Sequence, residues 1–230
     1  TNPSHTSILT GLRPASHGVR LNRYMRCEPG VETLPAILAD RGYRTAAFVS
    51  GFTLRRSTSS LIGEFQVYDD DYGPAHPVPD AVLSRGPMRV LVKLAKEVGF
   101  VGSAVIGERR AELTVTAAGA WLRANADVPF FLWVHLFDPH GAYEPPPPYD
   151  TMYDPDYRGG ADGDWYRLSR ARRRELMGSP ADIEHIKALY AGEVTYADAQ
   201  LGRLLAELDR LGLRESTLVV AASDHGESLD

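Results

Sequence analysis

Two adjacent residues near the end of the chain, Asp224 and His225, combine a carboxylate and an imidazole that could hold a metal ion. Oxygen and nitrogen donors together suit zinc, manganese or a similar divalent cation, and suit calcium less readily. Gly226 follows them and lets the backbone bend around an ion. The alternative is an aspartate that caps a turn beside a surface histidine, and the dipeptide alone leaves both interpretations open.

Two histidines in the middle of the chain are further candidates. His140 follows Asp138-Pro139 on a predicted loop, where its imidazole could donate to an anionic substrate, act as an acid or bind a metal. A solvated loop side chain is the alternative for His140, and Asp138 already has a local role in an Asp-Pro turn. His135 lies inside an apolar run, which predicts a hydrogen-bonded histidine of the core.

Several hydroxyl groups lie at the start of the chain. A short helix is predicted to begin just after Pro3, with Ser4 as its N-cap, and Thr1, Thr6 and Ser7 lie close to it. The N-terminus of a helix presents backbone N–H groups to an anion, and a hydroxyl there could be a nucleophile if a metal lowers its proton affinity. Capping of the helix is the alternative role for these hydroxyls.

Segments typical of helices and strands alternate along the chain, which predicts an α/β layered domain. The nearly unbroken apolar run at 130–137 is typical of a strand buried on both faces of a parallel sheet. In such sheets, ligands bind beyond the carboxyl ends of the strands, so the polar residues after two of the strands are expected at one edge. The predicted helices are 33–41, 81–98, 108–125 and 181–211, and the predicted strands are 44–50, 130–137 and 217–222.

Two stretches have the composition of loops. Residues 51–80 lose any periodicity, with Phe65, Val67 and Tyr68 as the expected anchors, and residues 138–180 are rich in proline and glycine. The tyrosines of the second stretch could line a groove or could simply pack the loop. They are Tyr143, Tyr149, Tyr153 and Tyr157.

Composition excludes several classes of protein. The single cysteine, Cys27, rules out an intrachain disulfide framework and an all-cysteine metal site, and no apolar stretch is long enough for a membrane span. The net charge of −5 and the lack of a glycine-rich nucleotide loop or a basic–aromatic stripe predict no nucleic-acid partner. Because the chain starts at Thr1 without a methionine and ends in a motif, we expect an interior piece of a longer protein. Membrane association and oligomeric state stay open.

Several motifs, taken together, resemble one known family. Thr1-x-Pro3-Ser4-His5, followed by Leu9-Thr10-Gly11, is similar to the sulfatase signature, in which Cys or Ser precedes x-Pro-Ser-Arg and Leu-x-Thr-Gly follows. His17-Gly18-Val19 with Asn22, then GYRTAAF, PFFLWVHLFDPHGAYEPP and SDHGE, follow in the order found in the sulfatase-like branch of the alkaline phosphatase superfamily. The resemblance covers essentially the whole chain.

The resemblance implies a fold and a set of roles. The fold would be a three-layer α/β/α sandwich around a mostly parallel mixed sheet, as one catalytic domain over 1–230 that is incomplete at both ends, with loop-rich excursions at 51–110 and 141–180. Thr1 would be the nucleophile and a metal ligand, and Asp224 and His225 the late metal-ligand pair. His140 would bind the sulfuryl or phosphoryl oxygens, while Ser4 and His5 would orient the nucleophile.

This sequence also departs from the family pattern. Thr1 cannot become the formylglycine of sulfatases, His5 replaces the signature arginine, and the family's Lys-x-His would fall near Ser50 and Phe52, so both cations are absent. The family's early strand with two aspartate ligands would lie upstream of Thr1. These departures favour phosphoryl transfer over strict sulfatase chemistry.

The function that the resemblance implies is therefore hydrolysis of sulfate or phosphate esters with a divalent metal ion (Ca, Zn or Mn), through a covalent intermediate on Thr1. The substrate would be a small-molecule, glycan or lipid ester, and the location extracytoplasmic or periplasmic. This chain alone would be weakly active or inactive. The alternatives are a metal-dependent phosphotransferase for lipid or glycan head groups and a non-catalytic binding protein.

Overall fold

The computed structural model describes residues 1–22, 25–59, 61–72, 108–164 and 178–227. The predicted helix at 81–98 and the arginine cluster at 172–174 lie outside these ranges. The chain forms two compact units, Thr1–Phe137 and Asp138–Asp230. The prediction of one domain over residues 1–230 stays a prediction.

A three-stranded parallel sheet forms the centre of the first unit. Its strands are β1 (Arg44–Val49), β2 (Val67–Asp69) and β3 (Phe130–His135), in the order β2-β1-β3. Arg44 pairs with Phe130 and Val49 with His135, so all six residues of β1 and β3 are in register. Every residue of β1 after the first is buried, as a central strand requires.

Both faces of this sheet are covered by helices. On one face, Leu9 of helix α1 (Asn2–Thr10) packs with a buried cluster from β1, β2 and the turns between them. On the other face, the Trp121 ring of helix α4 (Ala111–Ala124) lies 6.4 Å from the Phe48 ring and 6.3 Å from the Phe130 ring, centre to centre. The predicted α/β class with helical layers around a parallel sheet is confirmed.

Local signals fix the ends of the shorter helices. Helix α2 spans Pro14–His17, and helix α3 spans Leu34–Asp40 with Pro35 in its first turn. The Thr33 hydroxyl caps α3 by accepting a hydrogen bond from the Ala36 amide, and it donates to the Glu64 carboxylate at 2.8 Å. This agrees with the helix that the sequence predicts at 33–41.

The second unit is built on one long helix. Helix α5 spans Pro180–Arg210, is capped by Ser179, and is followed by Gly212 in the left-handed conformation. The preceding loop packs along it through aromatic pairs: Tyr143 lies 5.4 Å from Tyr190 and Tyr149 lies 5.5 Å from Tyr196, between ring centres. The loop-packing interpretation is therefore confirmed for Tyr143 and Tyr149, whereas Tyr153 is 52% exposed.

Four local predictions were wrong. The N-cap position of α1 is Thr1 rather than Ser4, because Pro3 is accommodated as the second helical residue instead of preceding the helix. β3 is half-buried along its length, because β1 is its one partner among the described strands. Val67 is 39% exposed and anchors nothing, since it points away from the cluster that holds Tyr68.

The fourth wrong prediction is the buried strand at 217–222. This segment has no strand partner among the described residues, and Leu218 and Val220 are 89% and 78% exposed. Apolar composition predicts burial only where another element covers the segment, and no described element of the second unit does so.

Within the described part of the chain, no helix has the length and apolar character needed to cross a membrane.

Candidate functional site

Thr1 is the N-cap residue of α1, and hydrogen bonds hold both polar atoms of the peptide group that joins it to Asn2. Its carbonyl oxygen accepts a hydrogen bond from the His5 amide at 2.9 Å, while its side chain makes no capping hydrogen bond to the helix. Capping therefore does not explain the Thr1 hydroxyl. At this helix end Pro3 has no backbone N–H, and the backbone N–H of Asn2 already donates to Asn22. Fewer amides are therefore left at the start of α1 to bind an anion.

The other hydroxyls of α1 have structural partners. Thr6 is fully buried and donates to the Asn2 carbonyl, and Ser7 contacts His17. Ser4 is half-buried inside the first turn. The catalytic roles implied for Thr1 and Ser4 stay predictions.

The side chain of His5, in α1, packs against the carboxyl end of β3. It is 5% exposed, and its ring packs edge-on against His135 at 4.8 Å and Trp133 at 5.6 Å, centre to centre. The orienting role implied for His5 stays a prediction. His135 is half-buried in this aromatic row and also faces Phe137 at 6.5 Å.

His17 is fully buried, and its hydrogen bonds define its state. The Val19 amide donates to its Nδ1 at 3.1 Å, so the neutral ring carries its proton on Nε2 and donates to the Ser7 hydroxyl at 2.9 Å. Burial lowers the pKa of His17 below the usual histidine value, which favours this neutral ring. His17 therefore fastens α2 to α1 through Ser7.

The positions where the family pattern would place two cations hold uncharged side chains with packing roles. Ser50 is fully buried; its hydroxyl donates to the His135 carbonyl at 2.8 Å and accepts from the Phe137 amide at 2.5 Å. Phe52 is 45% exposed, and its ring lies 6.1 Å from that of Phe137. Ser50 thus ties the end of β1 to the chain leaving β3.

In the second unit, His140 and His225 come together. Their ring centres lie 5.8 Å apart in an edge-to-face arrangement. His140 contacts its neighbour's carbonyl through Nδ1 at 2.9 Å, and His225 contacts the Gly226 carbonyl through Nδ1 at 3.0 Å. A carbonyl accepts, so Nδ1 carries the proton in both rings and Nε2 carries the lone pair of the neutral form.

The Asp224–His225 pair has a geometry that fits a shared divalent cation. The Oδ2 atom of Asp224 lies 3.7 Å from Nε2 of His225. Two ligands at about 2.1 Å from a tetrahedral zinc ion would lie about 3.4 Å apart, so a small shift brings both atoms to one ion. Over the described residues, no group of three or more His, Cys, Asp or Glu side chains could hold a metal ion, and the metal-ligand role implied for this pair stays a prediction.

The predicted site residues are thus divided between the units. Thr1, Ser4 and His5 share the first turn of α1 in the first unit, and His140, Asp224 and His225 lie in the second. Their convergence in one cavity stays a prediction. Sequence reasoning assigned no role to Asn2, and the signal that could have found it is its place directly after Thr1. Its backbone amide donates to Asn22, and its buried carboxamide bonds to Thr58 and Ser59.

Comparison with known proteins gives a consistent result. The family model described as Sulfatase matches residues 1–230. The chain is 26% identical over 257 residues to human iduronate 2-sulfatase, an alignment that covers 99% of this chain and 46% of that protein. It is 30% identical over 131 residues to a multifunctional alkaline phosphatase superfamily protein of Trinickia caryophylli, covering 47% of this chain and 26% of the relative.

A solved structure shares the fold. The phosphonate monoester hydrolase of Agrobacterium radiobacter superposes with a TM-score of 0.66 at 18% identity, over 99% of this chain and 53% of that one. The chain thus spans about half the length, or less, of the relatives it matches.

Proposed function

The chain belongs to the sulfatase family, and from that premise we propose that it carries catalytic residues of a metal-dependent hydrolase of phosphate or sulfate esters, with the Thr1 hydroxyl as nucleophile. The observation that carries the proposal is Thr1 itself. It occupies the first position of the signature and heads α1, and its hydroxyl does not cap that helix.

The chemistry of threonine favours phosphate over sulfate esters. Oxidation of a threonine side chain would give a ketone, so Thr1 cannot become the aldehyde that sulfatases derive from Cys or Ser. An unmodified hydroxyl can still attack phosphorus directly. A relative named as a multifunctional alkaline phosphatase superfamily protein supports a phosphoryl-transfer variant of the family chemistry.

Formation of the covalent intermediate involves no change of oxidation state. The Thr1 oxygen forms a bond to phosphorus, the bond from phosphorus to the ester oxygen breaks, and the proton of the hydroxyl ends on the departing alcohol. Water then attacks the phosphothreonine, which releases phosphate and restores the hydroxyl. With a second proton on Nε2, His140 would donate a hydrogen bond from that atom to a non-bridging oxygen during both displacements, while Nδ1–H stays bonded to the Gly141 carbonyl.

Asp224 and His225 would hold a divalent ion, since their donor atoms combine oxygen and nitrogen and lie close enough to share it. When bound, such an ion supplies positive charge that polarises the ester and favours the deprotonated hydroxyl. Asp224 would bind through Oδ2. His225 would bind through Nε2, with its ring orientation held by the hydrogen bond from Nδ1–H to the Gly226 carbonyl.

The direct test compares substrates and variants in the intact protein. Turnover of aryl phosphate, phosphodiester and aryl sulfate is measured with added Ca²⁺, Zn²⁺ or Mn²⁺ and after chelation. We expect phosphate-ester turnover that needs metal and falls at least about 1,000-fold in Thr1→Ala. Undiminished turnover by Thr1→Ala would remove Thr1 from the mechanism, and metal binding without any turnover would favour a binding protein.

A further inference from the structure

The residue directly after the proposed nucleophile is held by an unusual number of hydrogen bonds. We infer that Asn2 is a positioning residue, which fixes the backbone of Thr1 and so aims the Thr1 hydroxyl. This inference rests on the proposed function, because the orientation of Thr1 matters for turnover only if Thr1 is the nucleophile.

The hydrogen bonds of Asn2 reach two distant segments of the first unit. Asn2 is fully buried; its backbone amide donates to Oδ1 of Asn22 at 2.8 Å, and its Nδ2 donates to the Thr58 carbonyl at 3.2 Å. Its Oδ1 accepts from the Ser59 hydroxyl at 3.1 Å. Both ends of the carboxamide and the main-chain amide are therefore engaged.

These contacts act on Thr1 through one rigid peptide group. The carbonyl of Thr1 and the amide of Asn2 belong to the same planar unit. The carbonyl accepts from the His5 amide at 2.9 Å, and the amide donates to Asn22 at 2.8 Å. With both polar atoms of this plane held, the position of the Thr1 Cα and the direction of its Cα–C bond are fixed, and β-branching leaves the side chain few rotamers from that fixed point.

A helix start does not by itself require this arrangement. The first amides of an α-helix have no partner within the helix and are commonly satisfied by water. Burying a carboxamide is unfavourable unless its hydrogen bonds with water are replaced. The buried carboxamide of Asn2 bonds to one loop and its backbone amide to another, so Asn2 does more than start a helix. An error of about 1 Å in the position of a reacting group can lower a rate about 100-fold, which gives such fixation a catalytic consequence.

The best variant is Asn22→Ala, because Asn22 is exposed and its removal leaves the core intact. It takes away the acceptor of the Asn2 amide, while Asn22→Asp keeps an oxygen at that place. Asn125→Ala is the matched control, since Asn125 is also a hydrogen-bonded asparagine of this unit, at the end of α4 beside Arg44.

The assay is steady-state hydrolysis of an aryl phosphate by the intact protein with its metal, together with thermal unfolding. For Asn22→Ala we expect kcat to fall about tenfold, with KM and Tm nearly unchanged. Asn22→Asp and Asn125→Ala should keep the wild-type kcat. Ser59→Ala removes the donor to the Asn2 carboxamide and should also lower kcat. The fall in kcat should be larger than the fall in the fraction of folded protein.

Thr1→Ala separates the two levels of the argument. If Thr1→Ala is inactive while Asn22→Ala and Ser59→Ala both keep the wild-type kcat, the role of Asn2 is refuted and the proposed function survives. If Thr1→Ala is fully active, the proposed function fails and the role of Asn2 fails with it. A parallel loss of kcat and folded fraction in both Asn22→Ala and Ser59→Ala would leave Asn2 a purely structural residue and would also overturn the inference.

Discussion

Replacing Ser50 by alanine should destabilise the first unit strongly for so small a change. The Ser50 hydroxyl is fully buried, donates to the His135 carbonyl and accepts from the Phe137 amide. Alanine would leave both backbone groups without this partner. A buried polar group that loses its hydrogen bond costs about 1–3 kcal/mol, so the two together should cost about 3 kcal/mol of the free energy of unfolding.

Tryptophan fluorescence during urea unfolding measures this change, because Trp121 and Trp133 pack on or within the sheet. We expect the midpoint to shift while the slope m stays constant, and Tm to fall by roughly 10 °C. Ser16→Ala, at an exposed position of α2, is the control and should change the free energy by less than about 0.5 kcal/mol. Equal effects of the two variants would refute the bridging role of Ser50.

Three further predictions concern polar groups, two of them buried (His17 and Thr33) and one half-buried (Tyr157). Burial lowers the pKa of His17 in the folded state, so as the pH falls the unfolded chain binds a proton at this side chain before the folded chain does. The free energy of unfolding should therefore be highest above about pH 6.5 and should fall at lower pH by up to about 1.4 kcal/mol per pH unit. When the free energy of unfolding from urea titrations is plotted against pH, the slope should be shallower for His17→Gln than for the wild type. Identical slopes would contradict the assignment. Tyr157→Phe, which removes the hydroxyl that donates to Asp182, should cost about 1–2 kcal/mol in denaturant unfolding, and at least twice as much as the matched Tyr153→Phe at an exposed site. Thr33→Ala should cost about 1 kcal/mol through the lost cap of α3, with Thr33→Ser restoring most of it, and a silent alanine variant would show that the cap is dispensable.

Elements set by local chemistry could be predicted from the sequence. The cap at Thr33 with Pro35 in the first turn, and Ser179 before Pro180, are signals within a few residues of the helix starts that they mark. The strand at 44–49 is apolar enough to be central, and the structure places it there. These predictions need no knowledge of distant partners.

Features that depend on distant partners could not be predicted in this way. The segment at 217–222 has the composition of a buried strand, but burial needs a covering element, and composition carries no information about it. The partners of Asn2 lie 20, 56 and 57 residues away, so its role is visible only in the folded chain. The motif order identified the family, whereas the packing of His5 against His135 had to come from the structure.

The central claim is that the Thr1 hydroxyl forms a covalent bond to the substrate phosphorus. The most direct test is to mix the intact, metal-loaded protein with an aryl phosphate, quench it in acid within the first turnover, and analyse its peptides by mass spectrometry. We predict that the peptide that contains Thr1 gains the mass of one phosphoryl group, located on Thr1, and that Thr1→Ala shows no such gain. Rapid turnover with an unmodified Thr1 at every quench time, or phosphorylation of another residue, would contradict the account.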